Sequence, residues 1–180
     1  IDGADLHTEG QTARLMRIQD PYGNQLDFSY DANGRLERVY DNLGITGRNG
    51  LTFTYNADNR IETVFDWTGR TWHYGYTNGN LTAVTDPLTN TRTYSYHADT
   101  HLLKTLVLPQ DRSGQQATTT FSYYENDRAL DYQNQLGHTE TMDYDLYRKR
   151  TLVTDPRGFI RDYAYDENGT RIYEMNTARG

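Results

Sequence analysis

Cysteine is absent from all 180 residues. That excludes a disulfide framework, a thiolate metal ligand and a thiol nucleophile. Aliphatic side chains are scarce as well. Sixteen leucines, six isoleucines, five valines and five phenylalanines make up less than a fifth of the chain, a level at which disorder becomes a serious reading. Two other quantities oppose it: net charge is only −7, and 16 tyrosines supply the apolar area that the aliphatics do not. The chain is expected to fold by burying tyrosine instead of leucine. No apolar run approaches the roughly 20 residues of a membrane-spanning helix, and no charged-then-apolar leader is visible. An acidic balance without any Lys/Arg run argues against nucleic acid as a partner.

What the chain does have is a repeat. Its clearest copy runs from Asp20 to Val39, DPYGNQLDFSYDANGRLERV. At its centre an aromatic, a small or polar residue and a tyrosine stand in line, Phe28-Ser29-Tyr30. The triplet returns as Phe53-Thr54-Tyr55, Tyr74-Gly75-Tyr76, Tyr94-Ser95-Tyr96, Phe121-Ser122-Tyr123 and Tyr163-Ala164-Tyr165, with Met142-Asp143-Tyr144 as a variant. Successive tyrosines are 25, 21, 20, 27, 21 and 21 residues apart, a period that marks a repeat architecture. Residues 1–14 read as an irregular lead-in or an eroded repeat, and 15–180 as about seven repeats. A start at Ile1 and a stop inside a repeat at Gly180 read as a segment of a longer protein.

Each repeat has the pattern of a β-hairpin. Leu26, Phe28 and Tyr30 alternate with Asp27 and Ser29, and Leu51, Phe53 and Tyr55 with Thr52 and Thr54. A period of two with one aromatic face predicts antiparallel strands. Asp31-Ala32-Asn33-Gly34 and Asp166-Glu167-Asn168-Gly169 predict turns in which Gly34 and Gly169 take positive φ. Hairpin tips are expected near 31–34, 56–59, 77–79, 97–100 and 166–169. In the second strands the apolar residues lie three apart, as in Leu36 with Val39 and Ile61 with Val64. Period two cannot keep such a pair on one face, so a β-bulge or an early strand end is expected there. Gly44–Gly50 and Leu108–Ala117 read as exposed insertions, and the repeat from Tyr123 to Tyr132 is the most eroded. No helix of normal length is readable.

The fold class is therefore all-β: tandem antiparallel hairpins in a single-sheet ribbon. About 14 strands exceed the ~10 that open twisted sheets usually reach, so the ribbon is expected to curl. The positions expected to hold it together are Phe28, Tyr30, Gly34, Phe53, Tyr55, Tyr74, Tyr76, Tyr94, Tyr96, Phe121, Tyr123, Tyr144, Tyr163, Tyr165 and Gly169. A convex strip of tyrosine pairs would be a large sticky patch. The tyrosine face is accordingly expected to be concave, with the Thr/Ser/Asp face outward. Open sheet edges on such a segment are expected to promote self-association.

The unit DPxGNxxxFxYDxNGRLxxV resembles the YD repeat of the Rhs family, over about residues 12–180. That family includes bacterial polymorphic toxins, the C components of insecticidal toxin complexes, wall-associated proteins and teneurins. The resemblance implies a hairpin ribbon wound into a hollow shell around a C-terminal toxin, in a protein that is secreted or displayed at a cell surface. Its partners would be neighbouring repeats and the enclosed domain. A cell-surface adhesin or carbohydrate-binding repeat region is the alternative. The family's autoproteolytic closing element has no counterpart here, since Asp155-Pro156-Arg157-Gly158-Phe159 resembles an ordinary repeat start.

No catalytic, cofactor-binding or metal-binding residue is expected. The Asp-x-Asn-Gly loops crowd their oxygens into four residues and lack the distant bidentate glutamate of a calcium loop, so turn chemistry accounts for them. His97 and His101 lie four apart, but across a turn. The aspartates recur with the turns, and neither a Gly-x-Ser-x-Gly nor a phosphate-binding loop occurs.

Overall fold

Strict alternation produces strands throughout. The computed structural model describes residues 14–41 and 50–177, and every regular element among them is a β-strand. In chain order they are β1 (Arg17–Gln19), β2 (Gln25–Tyr30), β3 (Leu36–Asp41), β4 (Gly50–Tyr55), β5 (Ile61–Asp66), β6 (Thr71–Thr77), β7 (Asn80–Thr85) and β8 (Thr91–Tyr96). Then follow β9 (Leu103–Val107), β10 (Thr118–Tyr123), β11 (Ala129–Gln133), β12 (Thr139–Asp145), β13 (Arg150–Thr154), β14 (Ile160–Tyr165) and β15 (Arg171–Thr177). Strand order in the antiparallel sheet is chain order. The chain divides into two compact units, residues 1–74 and 75–180, and the boundary falls inside β6. The expected lead-in up to residue 13 and the insertion at 44–49 lie outside the described residues.

In the first unit, register gathers the aromatic face as expected. Phe28 stands opposite Val39 and Val39 opposite Leu51, while Phe53 pairs with Val64 and Val64 with Trp72. The opposite face carries Asp27, Ser29, Thr52, Thr54 and Thr63, but the second strands add bulk there. Tyr40 pairs with Asp27 and Phe65 with Thr52, and the Arg38 guanidinium lies 5.0 Å from the Tyr40 ring centre. In the second unit, Tyr94, Leu106 and Thr119 form one row of the tyrosine face, and Met142, Val153 and Arg161 another. The reverse face holds hydroxyls in rows, with Ser95 and Thr105 in a 2.6 Å hydrogen bond. Thr54 and Thr63 make the same 2.6 Å contact in the first unit.

The three-residue spacing resolves as a bulge. Ser29 pairs with Arg38 but Tyr30 with Leu36, which leaves Glu37 without an opposite residue. The slip recurs at Tyr55, Tyr96, Tyr123 and Tyr165, with Glu62, Lys104, Leu130 and Ile172 as the extra residues. One inserted residue returns Leu36 to the side that already carries Val39. Even the eroded repeat at Tyr123 keeps this device. The hairpin β12–β13 departs from it: Tyr144 pairs with Thr151 and Asp145 with Arg150 in unbroken register.

Nine turns share one construction. Asp20, Asp31, Asn56, Asp66, Asp86, Asp111, Asn134, Asp155 and Asp166 each accept, on one side-chain oxygen, the N–H groups two and four residues on. Each turn is also closed by two backbone bonds: the fourth N–H donates to the first carbonyl and the first N–H to the fifth carbonyl. This is a type I turn followed by a left-handed residue. Gly34 and Gly169 fill that position with φ of 79° each. Asn59 fills it at φ 61° and Thr89 at φ 67°, the latter strained because a β-branched side chain crowds its own carbonyl there. The loop 108–117 contains one such turn and is largely exposed.

Burial is shallower than the tyrosine content suggests. Val64, at 9% exposure, is the one buried apolar residue among those described, and Asp66 and Asp162 are the buried charged ones. Most repeat tyrosines are half-buried. A single layer offers a ring only lateral neighbours, so composition led to an expectation of deeper burial than this architecture can provide.

Two outcomes follow from the turns. Thr89→Gly removes the left-handed strain at some entropic cost and should stabilise the chain by about 0.5–1 kcal/mol, read as a higher urea midpoint; a lower midpoint would show the strain is absent. The second concerns acid. The Thr68 hydroxyl, then the Arg70 guanidinium and turn N–H groups, hold the Asp66 carboxyl at about 2. Asp20, Asp31, Asp86, Asp111 and Asp155 are lowered too, by similar turn hydrogen bonds. A lowered folded-state value means the unfolded chain binds protons first. This contribution to stability is complete above the unfolded value of about 3.9 and is lost as pH falls through about 2. The urea midpoint should decline below about pH 4, and Asp66→Asn should flatten the decline.

Candidate functional site

The tyrosine face is the one surface that every repeat elaborates. Phe28, Phe53, Tyr94, Phe121 and Met142 sit mid-strand opposite Val39, Val64, Leu106, Tyr132 and Val153. Tyr163 lies between Thr151 and Glu174. Tyr74 and Tyr76 are two residues apart on β6.

In four of the triplets the last tyrosine reaches sideways, across the strand pair, to the preceding hairpin. The Tyr30 hydroxyl donates to the Leu15 carbonyl at 2.8 Å, Tyr55 to Leu36 at 2.7 Å, Tyr96 to Leu81 at 2.8 Å and Tyr123 to Leu103 at 2.8 Å. The acceptor is the leucine of the Arg-Leu pair or its substitute. At Leu36 and Leu103 a bulge lies beside that carbonyl, and the hydroxyl satisfies it. Burial pushes the Tyr55, Tyr96, Tyr123 and Tyr144 hydroxyls above the usual tyrosine pKa.

The arginine before that leucine covers the same ring. Arg35 lies 4.4 Å from the Tyr55 ring centre, Arg14 5.4 Å from Tyr30 and Arg128 5.2 Å from Tyr144. Arg35 is the most completely held. Its Nε donates to Asp31 at 2.7 Å, and one terminal nitrogen donates to Asn59 Oδ1 at 2.7 Å. A stacked, hydrogen-bonded guanidinium of this kind contributes about 0.5–1 kcal/mol at an exposed site. At Tyr123 the slot is taken by His97, edge-on at 6.0 Å, with its Nε2 buried and unbonded. At Tyr144 the extra Tyr124 leans edge-on at 6.0 Å and donates to the Met142 carbonyl.

Sequence reasoning fixed on the tyrosines and missed their partners. An arginine five residues after Tyr30, Tyr55 and Tyr123, followed by Leu36, Ile61 and Ala129, was the available signal. The carbonyl acceptor left no trace in the sequence. As for chemistry, no group of three or more His, Asp or Glu among the described residues is arranged to hold a metal. His101 Nδ1 faces Asn80 rather than His97. The turn carboxylates are engaged by backbone N–H groups. The arrangement joins hairpin to hairpin.

Residues 77–113 match the family model described as RHS Repeat. No curated protein matches the chain. Among solved structures, the crystal structure of TcdB2-TccC3-Cdc42 superposes with a TM-score of 0.61 at 13% identity, over 84% of this chain and 9% of that one. The crystal structure of TcdB2-TccC3 gives 0.60 at 13% identity, over 89% and 10%. A TcdB2-TccC3 structure without the hypervariable C-terminal region gives 0.61 at 13%, also over 89% and 10%. The likeness is one of fold, and the chain spans about a tenth of the length of those proteins.

Removing one hydroxyl distinguishes a tie from a bystander. Tyr55→Phe leaves the Leu36 carbonyl without its donor and should cost about 1 kcal/mol. Tyr165→Phe, whose hydroxyl makes no such bond among the described residues, should lie within about 0.5 kcal/mol of the parent. Equal losses in chemical denaturation would refute the assignment.

Proposed function

Because the chain belongs to the Rhs/YD-repeat family, we propose that it is a non-enzymatic stretch of wall in a larger shell that encloses a C-terminal toxin. The observation that carries this reading is the sideways tie. Every resource of the repeat goes into joining one hairpin to the next on a single face, through tyrosine hydroxyl, leucine carbonyl and arginine. A wall needs lateral continuity of this kind, and a catalyst would need convergent groups.

The half-buried tyrosine rings form the inner surface in this proposal. They offer weak, non-specific contacts to an enclosed polypeptide, and the hydroxyl rows on the reverse face meet solvent. The matched structures support it by analogy: by their descriptions they are TcdB2-TccC3 structures, one with Cdc42 and one without a hypervariable C-terminal region. On this reading the partners are neighbouring repeats and an enclosed domain, and the parent is a protein exported to act outside its cell. All fifteen positions from Phe28 to Gly169 named above serve the wall.

The cysteine-free segment gives a direct test of sidedness. Arg92 projects on the tyrosine face and Thr93 on the hydroxyl face, and both are exposed in the segment. In the full-length parent, a bulky maleimide should label Thr93→Cys rapidly and Arg92→Cys slowly. The reverse order would overturn the enclosing-wall reading. Equal rapid labelling would favour an open surface ribbon of the adhesin or carbohydrate-binding type.

A further inference from the structure

We propose that the groove beside Tyr165 binds the guanidinium group of an arginine side chain from another polypeptide. This goes beyond the wall reading and does not depend on enclosure.

The proposal begins in the sequence of one hairpin. Between Tyr144 and Thr151 the chain reads Asp145-Leu146-Tyr147-Arg148-Lys149-Arg150, without the Asn-Gly found at 33–34 and 168–169. The tighter connection carries no bulge, so Arg150 pairs opposite Asp145 and Ala164. One residue of register reverses the face to which a side chain belongs. Arg150 consequently engages Asp162 on the reverse face instead of covering a tyrosine. Lys149 stands where arginine stands elsewhere, and its ammonium pairs with Glu167 at 3.8 Å.

Tyr165 is therefore left without either partner of its counterparts. No guanidinium lies over its ring and no carbonyl accepts its hydroxyl among the described residues, whereas Tyr30 and Tyr55 have both. What remains is a groove of about 450 Å³ whose lining includes Tyr165, Asp145, Glu167, Lys149, Arg128 and Arg150.

The chain itself supplies the occupant's chemistry. The equivalent space beside Tyr55 is filled by Arg35, with its plane on the ring, the Asp31 carboxylate at 2.7 Å and an oxygen of the following turn at 2.7 Å. At Tyr165 the ring is present, Asp145 holds the place of Asp31, and Glu167 supplies the oxygen in the following turn. Arg128, Lys149 and Arg150 line the site and Arg148 reaches its Asp145, but none fills it: Arg150 is committed to Asp162. Arg128 is committed to Tyr144 at 5.2 Å. Arg148 touches Asp145 at 3.6 Å and Lys149 touches Glu167 at 3.8 Å, both exposed pairs of the kind that contribute little. A planar fork that stacks and hydrogen-bonds at once displaces such contacts in a way that an ammonium cannot.

The test is an NMR titration of the whole chain, reading the Tyr165 ring resonances, with N-acetyl-arginine amide as probe. A saturable shift at Tyr165 in the millimolar range is expected, with Tyr55 unmoved because its slot is full. The lysine amide should bind about fivefold or more weakly, and the citrulline amide, isosteric but uncharged, not at all. Glu167→Gln, a change at a fully exposed turn residue, should weaken the arginine probe about threefold or more. The absence of a saturable shift up to about 100 mM would overturn the site. So would equal shifts with citrulline, equal shifts at Tyr55, or an affinity indifferent to Glu167→Gln.

Discussion

The whole structure depends on a substitute for a core. A sheet without a second layer over it cannot seal apolar side chains, and Val64 is the only apolar residue among those described that is buried. Hydrophobic burial is then limited to side-by-side contact on each face. The tyrosine tie converts that limitation into a joint. Its ring covers lateral apolar surface, while its hydroxyl satisfies a carbonyl that the bulge has taken out of the ladder. An amphipathic ring suits this position better than leucine, which has nothing to offer the carbonyl. The tyrosine-rich, leucine-poor composition follows from that need.

Bulge, turn and tie form one mechanism. The turn closes the hairpin, the bulge beside it takes the carbonyl out of the ladder, and the tyrosine of the next hairpin closes on it. The β12–β13 hairpin demonstrates the linkage by its failure. Its register runs without a slip, and Arg150 is delivered to the wrong face for stacking. Asp162 compensates there as one of the few buried charged groups.

Much of this was legible from residues because it is local. Asp31 to Gly34 specify their turn through atoms within four residues, and the alternation about Phe28 fixes a strand and its faces. The interval from Leu36 to Val39 implied a bulge by arithmetic alone. Other features lay beyond reach for physical reasons. The acceptor for Tyr55 is a backbone carbonyl, which has no residue type, and the Arg35–Tyr55 contact joins two motifs twenty residues apart. Thr89 in a glycine position gave no warning, since its neighbours impose the turn regardless. The bulk of Tyr40 and Phe65 on the hydroxyl face escaped notice because first strands alone were read for their outward residues.

The identity of strand order and chain order has a kinetic consequence. Within each unit, every strand pairs with its immediate predecessor, so the loops to be closed are short and most native contacts have low sequence separation. Low contact order favours rapid folding despite an all-β composition, which ordinarily slows it. A chain emerging from the ribosome could add each finished hairpin to the one before it, with its newest edge as the template for the next strand. Growth of the sheet would then proceed in the direction of synthesis, with the most recent edge receiving each new strand.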